Sequence, residues 1–443
     1  MTNELYDTLS GTVVRAGDED YARLSKTFAH TGEPAAIVRC HSPADVQQAV
    51  RLAADNDLVL SIRSGGHSNA GFSTNDGGLV IDLSPLDGVE VLDAAEGTVR
   101  LGAGATWETV ADTLTPHGLA FTAGDSKPVG VGGLLLGAGI GWMVRKYGLS
   151  IDNLLAAELV LASGELVRVS STERPDLFWA IRGGGGNFGI AVAFEVQARH
   201  LDGVHFGPIM FPRDLAADVV KGWARAMRAA PPELTSTINL LPAFGPDGPP
   251  PVMIRVCYAG TDADAAAKAI EPIRQLGPVL SDEVKAMPYA DILEGPFPAP
   301  PGWSPLIRNV FVGTLSDELV DLVTTRPAKL GLFPVELRWI GGALNDVPAD
   351  ATAFGHRDIE VMLSGVSLGA PDAQLAVAAD VKAFWDAVGP LTVGAYGNFL
   401  THVDEASVRD VYPPATLARL AAIKREVDPT NLFRRNVNIQ PAV

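Results

Sequence analysis

The chain of 443 residues is longer than one hydrophobic core usually supports, so two domains or one large composite domain are expected. Hydrophobic residues make up 47% and charged residues 19% of the sequence, which is typical of a folded globular protein rather than a disordered one. The net charge of −18 argues against nucleic-acid binding, because that binding depends on Lys and Arg side chains that neutralise phosphates.

The sequence also shows no recognisable targeting or metal-binding signal. The first nine residues contain Glu4 and Asp7 and no apolar stretch, so no export signal is expected. The glycine-rich run 129–144 is too short to span a bilayer, and no membrane contact is expected. Cys40 and Cys257 lie too far apart for a local metal motif, so we expect no metal and a reduced, cytoplasmic setting.

The first 200 residues alternate strand and helix patterns. Residues 35–40 read as a strand, Ser42-Pro43 opens a helix, and residues 58–63 form the next strand, which ends on a glycine-rich turn. Further strands are predicted at 77–84 and 98–105, with a capped helix at 106–118. Apolar strand patterns at 155–163, 165–170 and 189–198 complete an α+β or α/β body.

The texture changes after about residue 203. Pro-rich loops lie at 246–251 and 294–305, with a helix pattern at 261–276 between them. The segments 335–344 and 359–367 alternate as strands of an antiparallel sheet with one covered face. The tail from residue 415 is a helix, a Pro-marked stop and an extended end.

A first candidate site is the motif RSGGHS, formed by Arg63, Ser64, Gly65, Gly66, His67 and Ser68. Glycines directly after a strand let backbone N–H groups converge on an anion, and the serine hydroxyls add donors. The motif is neither a P-loop nor a Rossmann fingerprint. Taken alone, an ordinary glycine turn between strands is the commoner explanation.

Two further glycine clusters follow. The segment 129–141 would score poorly as a helix, which suits either a flat ligand lying against it or close helix packing. The run 182–189 contains four consecutive glycines, whose ordering is entropically costly. Three such clusters between residues 63 and 189 favour an extended ligand with a pyrophosphate.

The last fifty residues supply Tyr396, Asn398, Asn436 and Asn438. Paired asparagine amides match the carbonyl and N–H edges of a heterocycle such as isoalloxazine. The commoner role of asparagine, in turns and caps, remains an alternative for each of them.

Six motifs in chain order resemble the berberine-bridge-enzyme-like branch of the vanillyl-alcohol-oxidase (PCMH-type FAD-binding) family: RSGGHSNAGFS, VGVGGLLLGAGIGW, RKYGLSIDN, PDLFWAIRGGGGNFGI, YGNF and DPTNLFRRNVNIQP. The resemblance covers residues 35–200 and 394–441. It implies an α+β fold with an FAD-binding domain formed by both chain ends, 1–200 and 394–443. A substrate domain, 201–393, would cover the flavin ring with its antiparallel sheet.

The resemblance also implies roles for individual residues. His67 matches the histidine bonded to the flavin 8α carbon, and residues 63–68 match the pyrophosphate loop. Ser126 stands where many relatives carry a cysteine bonded to flavin C6, so only one covalent link is expected. The remaining matches are Val129, Gly130, Gly132, Gly133, Gly137 and Gly139 along the isoalloxazine, Ile190 and Val192 near the adenine, and Asn398, Asn436 and Asn438 beside the ring.

The implied function is an FAD-dependent oxidase of a small organic substrate with molecular oxygen as acceptor. Alcohols, hemiacetals, amines and phenolic or polyketide-like intermediates are candidate substrates. A dehydrogenase with another acceptor, or a flavin-binding protein without turnover, are the alternatives. Tyr396 is a candidate base or a structural residue, and Glu360 is the second candidate base. Which face of the substrate-domain sheet covers the flavin, and the oligomeric state, are left open by the sequence.

Overall fold

Strands and helices follow the apolar patterns of the sequence in the computed structural model, which describes residues 3–243, 248–295, 300 and 302–443. Both Pro-rich loops fall partly outside these ranges, at 246, 247, 296–299 and 301, as do the first two residues. The described helices are α1 (Tyr21–Leu24), α2 (Pro43–Asp55), α3 (Trp107–Leu114), α4 (Val131–Gly137), α5 (Val144–Tyr147), α6 (Pro175–Ile181), α7 (Ala216–Ala229), α8 (Ala263–Arg274), α9 (Asp317–Thr325), α10 (Ala343–Asp346), α11 (Pro371–Val388), α12 (Glu405–Val411) and α13 (Pro414–Val427). None of them is both long and apolar enough to cross a membrane.

Two sheets build the N-terminal part. The first has the order β1-β2-β4-β3, in which β2, β4 and β3 run parallel and β1 is antiparallel. The second, antiparallel, has the order β5-β6-β10-β8-β9. Their strands are β1 (Thr12–Val14), β2 (Ala36–Arg39), β3 (Leu60–Arg63), β4 (Leu79–Asp82), β5 (Val89–Asp93), β6 (Thr98–Gly102), β8 (Leu154–Val160), β9 (Leu166–Ser170) and β10 (Ile190–Gln197), with β7 (Leu119–Ala120) and β11 (Arg199–His200) as a separate pair.

Local sequence signals account for the first helices. The Ser42 hydroxyl accepts the N–H of Asp45, and the Asp45 carboxylate accepts the N–H of Ser42, which closes a capping box around Pro43 at the first helical position. Thr106 caps α3 through the N–H of Thr109 in the same way. The predicted starts of both helices are therefore confirmed.

The core of the N-terminal part also takes residues from the other chain end. Buried side chains of β2, β4, β8 and β10 pack with Tyr412, Leu420, Phe433 and Ile439 in one apolar cluster. Burying a side chain of this kind contributes about 1.5–3 kcal/mol, so the C-terminal segment is fastened to the first domain by ordinary hydrophobic packing. The two chain ends share one core, whereas the domain boundaries at residues 200 and 393 stay a prediction.

The second part is an antiparallel sheet in the order β15-β12-β14-β13-β18-β19-β17, with β16 paired to β12. Its strands are β12 (Val204–Phe211), β13 (Leu234–Leu240), β14 (Val252–Tyr258), β15 (Ser281–Asp282), β16 (Lys285–Met287), β17 (Ser304–Val312), β18 (Val335–Trp339) and β19 (Val361–Gly369). On one face Ile238, Leu337 and Leu363 form a core with α7, α8, α9 and α11. This face is therefore closed by helices.

The opposite face turns toward the N-terminal part, since successive side chains of a strand alternate between faces. Thr237, Arg338 and Met362 are register partners across β13, β18 and β19. Met362 packs with Ile140 and Tyr396, and Arg338 pairs with Asp125 at 2.6 Å. The face that the sequence left open is thus the one carrying Glu336, Arg338, Met362 and Ser364.

Arg145 of α5 locks the two parts together. Arg145 is 5% exposed, and its guanidinium donates to Gly341 O at 2.7 Å, to Leu234 O and to three carbonyls near the end of α7. Those three are Met227, Ala230 and Pro231. Leaving one buried carbonyl unsatisfied costs about 1–3 kcal/mol, so this cluster holds the sheet in a fixed position above the first domain.

Candidate active site

The RSGGHS loop follows β3 and lies directly against the second glycine cluster. A Cβ atom on Gly65 would stand 2.8 Å from Pro128 O and closer still to Gly130 N, and one on Gly130 would meet Gly65 N and Ser64 Oγ. Ser64 Oγ donates to Ala103 O at 2.6 Å and accepts the N–H of Gly132 at 3.3 Å. Two glycines without side chains are what allows this backbone contact.

The second cluster meets the C-terminal segment one turn later. Asn398 lies against Gly137, where a Cβ would stand 2.6 Å from its side-chain Cγ, and its Nδ2 donates to Gly133 O at 3.3 Å. The N–H of Gly139 donates to the Tyr396 hydroxyl at 3.3 Å. The predicted poor helix former does make a short helix, α4, and its glycines are positions of close approach.

The third cluster contacts both of the other segments. Gly183 N–H donates to Leu136 O at 3.1 Å, Asn436 Nδ2 donates to Gly186 O at 3.1 Å, and Asn187 Nδ2 donates to Val437 O at 3.0 Å. All three glycine clusters and both C-terminal motifs therefore meet at one place. Ile190 and Val192 start β10 directly after this cluster, and both are buried in the first core.

Several groups in this region fit FAD. Asn436 Oδ1 is buried and without a hydrogen-bond partner among the described residues, although its Nδ2 is satisfied. Asn69 Oδ1, two residues after His67, is unpartnered in the same sense. A Cβ on Gly133 would meet no protein atom within 4 Å. Free acceptors and a side-chain-free surface match the polar edges and flat face of a flavin.

His67 is held by stacking. Its ring lies 4.9 Å from the Phe28 ring, centroid to centroid, with an angle of 18° between the planes. Burial lowers the pKa of His67 below its usual value, so the imidazole is neutral at physiological pH. A neutral imidazole has a free nitrogen lone pair, which a bond to a flavin carbon requires.

Two other residues of the loop have protein partners. Arg63 donates to the carbonyls of Leu24 and Lys26, the latter at 2.7 Å. Its guanidinium therefore binds the backbone after α1. Ser68 Oγ accepts the N–H of Phe72 at 3.3 Å. The backbone N–H groups of the loop are thus better placed than Arg63 to contact a phosphate.

Tyr396 is buried in an apolar cluster with Ile140, Phe311 and Met362. Its hydroxyl oxygen accepts hydrogen bonds from Gly139 N–H and, at 3.1 Å, from Asn398 Nδ2. Burial raises the pKa of Tyr396 to about 12, although both hydrogen bonds and the charge of Arg338 oppose the increase. The phenolate would therefore form in a site that already holds two donors for it.

Asn309 fixes the backbone of Tyr396 and was not found from the sequence. Its Oδ1 accepts the N–H of Tyr396 at 2.7 Å and its Nδ2 donates to the Tyr396 carbonyl at 2.9 Å. A polar residue inside the apolar strand pattern of β17 was the available signal. Asn309 is also the register partner of Ser364, whose buried Oγ has no hydrogen-bond partner among the described residues.

Glu360 lies elsewhere. Its carboxylate forms a two-point ion pair with Arg228 of α7, 2.7 Å for each bond, and accepts the N–H of Leu315 at 2.9 Å. It therefore joins the sheet to a covering helix, and the structure gives it no contact with Tyr396. Both carboxylate oxygens of Glu360 are thus engaged by Arg228, and its role as a base stays a prediction.

Asp125 was also missed, although it directly precedes Ser126. It pairs with Arg338, which in turn contacts Glu336 at 3.1 Å. Ser126 forms a β-bridge with Glu294. The segment before the second glycine cluster is therefore attached to the chain between β16 and β17. Within the described part of the chain, no group of three or more His, Cys, Asp or Glu side chains could hold a metal.

Two family sequence models match this chain, one in its N-terminal part and one near its C-terminal end. A family sequence model described as "FAD binding domain" matches residues 34–170, and one described as "Berberine and berberine like" matches residues 395–440. The chain is 30% identical to (R)-6-hydroxynicotine oxidase of Paenarthrobacter nicotinovorans, over 100% of this chain and 99% of that protein. It is also 30% identical to xylooligosaccharide oxidase of Thermothelomyces thermophilus, over 92% of this chain and 88% of that protein.

The fold is similar to a solved structure over its whole length. The crystal structure of 6-hydroxy-D-nicotine oxidase from Arthrobacter nicotinovorans superposes with a TM-score of 0.87 at 30% identity, covering 100% of both chains. The likeness therefore extends across the N-terminal part, the sheet and the C-terminal return.

Gly65→Ala tests the contact between the first two glycine clusters. The new Cβ would displace the backbone of Gly130, and strain of about 1–3 kcal/mol in such a packed site corresponds to roughly 10- to 100-fold weaker FAD retention. The affinity for FAD titrated into flavin-free protein is the measurement. Gly88→Ala, whose Cβ would meet nothing within 4 Å, is the matched control, and equal FAD affinity of both variants would contradict the contact's role.

Proposed function

Since the chain belongs to the berberine-bridge-enzyme-like family of FAD-linked oxidases, we propose that His67 carries its FAD covalently and that Tyr396 accepts the proton of the substrate. Membership confirms the predicted fold class, the FAD cofactor and the enzyme class, an FAD-dependent oxidase of small organic molecules. The observations that carry the proposal are the contact of the RSGGHS loop with Gly130 of the second glycine cluster and the hydrogen bond from Gly139 N–H of the same cluster to the Tyr396 hydroxyl.

The proposed link to His67 rests on its environment. The imidazole is neutral, stacked on Phe28 and placed on the loop that contacts Gly130, so its orientation is fixed before any bond forms. Fixed orientation of a nucleophile next to its target replaces a bimolecular encounter by an effectively unimolecular one.

The proposal of a single covalent link rests on the residues that could supply a thiol. Ser126 offers no thiol, and both cysteines, Cys40 and Cys257, are buried. Burial raises the pKa of each thiol well above its ordinary value, so neither provides a thiolate.

The proposed chemistry divides between cofactor and protein. The chemistry that FAD supplies when bound is hydride acceptance and electron return to an acceptor, which we propose is molecular oxygen. The phenolate form of Tyr396 takes the proton from the substrate hydroxyl or amine. Before that transfer, Gly139 N–H and Asn398 stabilise the phenolate oxygen. Asn309 keeps the ring in place through both backbone groups of Tyr396.

The proposed substrate site lies between Tyr396 and the polar face of the sheet. Arg338, Glu336 and Ser364 give that face charged and hydroxyl groups, while Phe311 and Met362 give it apolar surface. Since two relatives are named for oxidising a hydroxynicotine and a xylooligosaccharide, we propose a small molecule with an oxidisable alcohol, hemiacetal or amine carbon. The unpartnered Ser364 hydroxyl would bind a polar substituent of it.

Covalent attachment predicts that acid-precipitated protein keeps its yellow colour in the pellet and that one flavin-bearing peptide contains His67. His67→Ala should still bind FAD through the glycine loop, but it should release the flavin on precipitation and turn over more slowly. Wild-type colour found only in the supernatant, or a flavin peptide that contains Cys40 or Cys257, would refute the single histidyl link.

Tyr396→Phe tests the base. Removing only the hydroxyl should slow anaerobic flavin reduction by at least about 100-fold, the usual scale of a positioned proton acceptor. Because the pKa of Tyr396 is about 12, the phenolate fraction and the wild-type reduction rate should rise through pH 7–10, and the variant should lose this rise. Tyr6→Phe, another buried tyrosine, is the control. A loss below about tenfold would assign Tyr396 to packing.

Val129→Leu tests oxygen as the acceptor. Val129 borders the ring-lining segment, and its carbonyl accepts the N–H of Trp107 at 3.1 Å, so the backbone there is fixed. The larger side chain should slow reoxidation of the reduced enzyme in air by roughly tenfold, about 1.4 kcal/mol of barrier, and leave anaerobic reduction nearly unchanged. Val129→Ala should not slow reoxidation. Equal slowing of both half-reactions by leucine would indicate a packing defect instead.

A further inference from the structure

Lys424 is a buried cation that the proposed chemistry does not use. It lies in α13, its side chain is 0% exposed, and it pairs with Asp428 at 3.4 Å, which is also 0% exposed. We propose that Lys424 is a positioning residue that fixes the segment 433–439 against the FAD site and so sets the flavin relative to His67. This inference rests on the proposed function, because it concerns how the cofactor is oriented.

The ammonium group of Lys424 makes three further contacts, two to the segment 433–439 and one to the third glycine cluster. It donates to Phe433 O at 2.8 Å, to Asn187 Oδ1 at 3.3 Å and to Asn438 Oδ1 at 3.4 Å. Asp428 adds two contacts, since its oxygens accept the N–H groups of Leu432 at 2.7 Å and Phe433 at 3.0 Å. One buried ion pair therefore joins a helix, the third glycine cluster and the C-terminal segment.

Asn187 extends the same network along the segment. Its Nδ2 donates to Val437 O and Gly184 O, and its Oδ1 also accepts the N–H of Ile439 at 3.0 Å. Asn436 lies within the length of chain so held, and its unpartnered Oδ1 is the atom that fits a flavin edge. Lys424 thus acts on that edge through the backbone, without touching the cofactor.

Arg435 connects this segment to the His67 loop. Its Nη2 donates to Gly71 O at 3.1 Å and to Thr74 O at 2.7 Å, both in the chain that continues from His67. A displacement of residues 433–439 would therefore move the ring-edge contact and the attachment loop together. Misplacement of reacting groups by about 1 Å can slow a reaction roughly 100-fold, so covalent attachment is a sensitive readout.

A neutral side chain at residue 424 separates positioning from stability. Lys424→Met leaves Asp428 as a buried uncompensated charge and should lower the thermal midpoint. The double variant Lys424→Met/Asp428→Asn removes both charges and should recover most of that midpoint, but it cannot restore the contacts to Asn438, Asn187 and Phe433 O. Lys382→Met/Asp386→Asn is the matched control, because this pair has the same spacing on α11 and is largely exposed.

The expected result is that the double variant, though refolded, releases a large part of its flavin on acid precipitation and shows a shifted visible flavin spectrum, while the Lys382 control matches wild type. Attachment and spectrum that recover together with the thermal midpoint would overturn the positioning role and leave only stability. If wild type itself releases its flavin, the histidyl link proposed above is wrong. The spectrum and FAD dissociation constant of the same variants then decide the role of Lys424 independently.

Discussion

Close backbone contact between Gly65 and Gly130 is the constraint on which the rest of the site depends. It brings the loop after β3 against the start of α4. A side chain at either position would prevent this approach. Ser64 then bonds Ala103 O and Gly132 N–H across this contact, and His67 follows three residues later in the same loop. A conformationally costly glycine pattern thus becomes a rigid cradle for an extended ligand.

The same surface is completed from the far end of the chain. Asn398, Asn436 and Val437 contact the second and third glycine clusters, and apolar side chains from α13 and the tail enter the first core. Hydrophobic burial supplies the free energy of this return, while the hydrogen bonds fix its register. The substrate-domain sheet is then held above the site by Arg145 and by the Arg338–Asp125 pair. The same hydrogen bonds and ion pairs therefore fix the positions of the sheet and of the side chains proposed for the chemistry.

The surroundings of Tyr396 exert opposing effects on the ionisation of its hydroxyl group. Burial disfavours the phenolate, whereas Gly139 N–H, Asn398 and Arg338 favour it, and burial is the larger effect. A tyrosine of this kind is mostly protonated in the resting protein, and the donors already in place stabilise the phenolate fraction that can accept a proton. Its backbone is fixed by Asn309, which lies on strand β17 of the second antiparallel sheet.

Local backbone preferences, which are readable within a few residues, were enough to predict the capped helices at Ser42 and Thr106, the strand ending in RSGGHS, and the glycine and asparagine motifs proposed to line a flavin. Folding of the whole chain was needed to show which sheet face meets Tyr396, that Glu360 pairs with Arg228, that Arg63 turns to Leu24 and Lys26, and that Lys424 joins three separated segments. Those facts depend on long-range packing and strand direction, and no local pattern carries them.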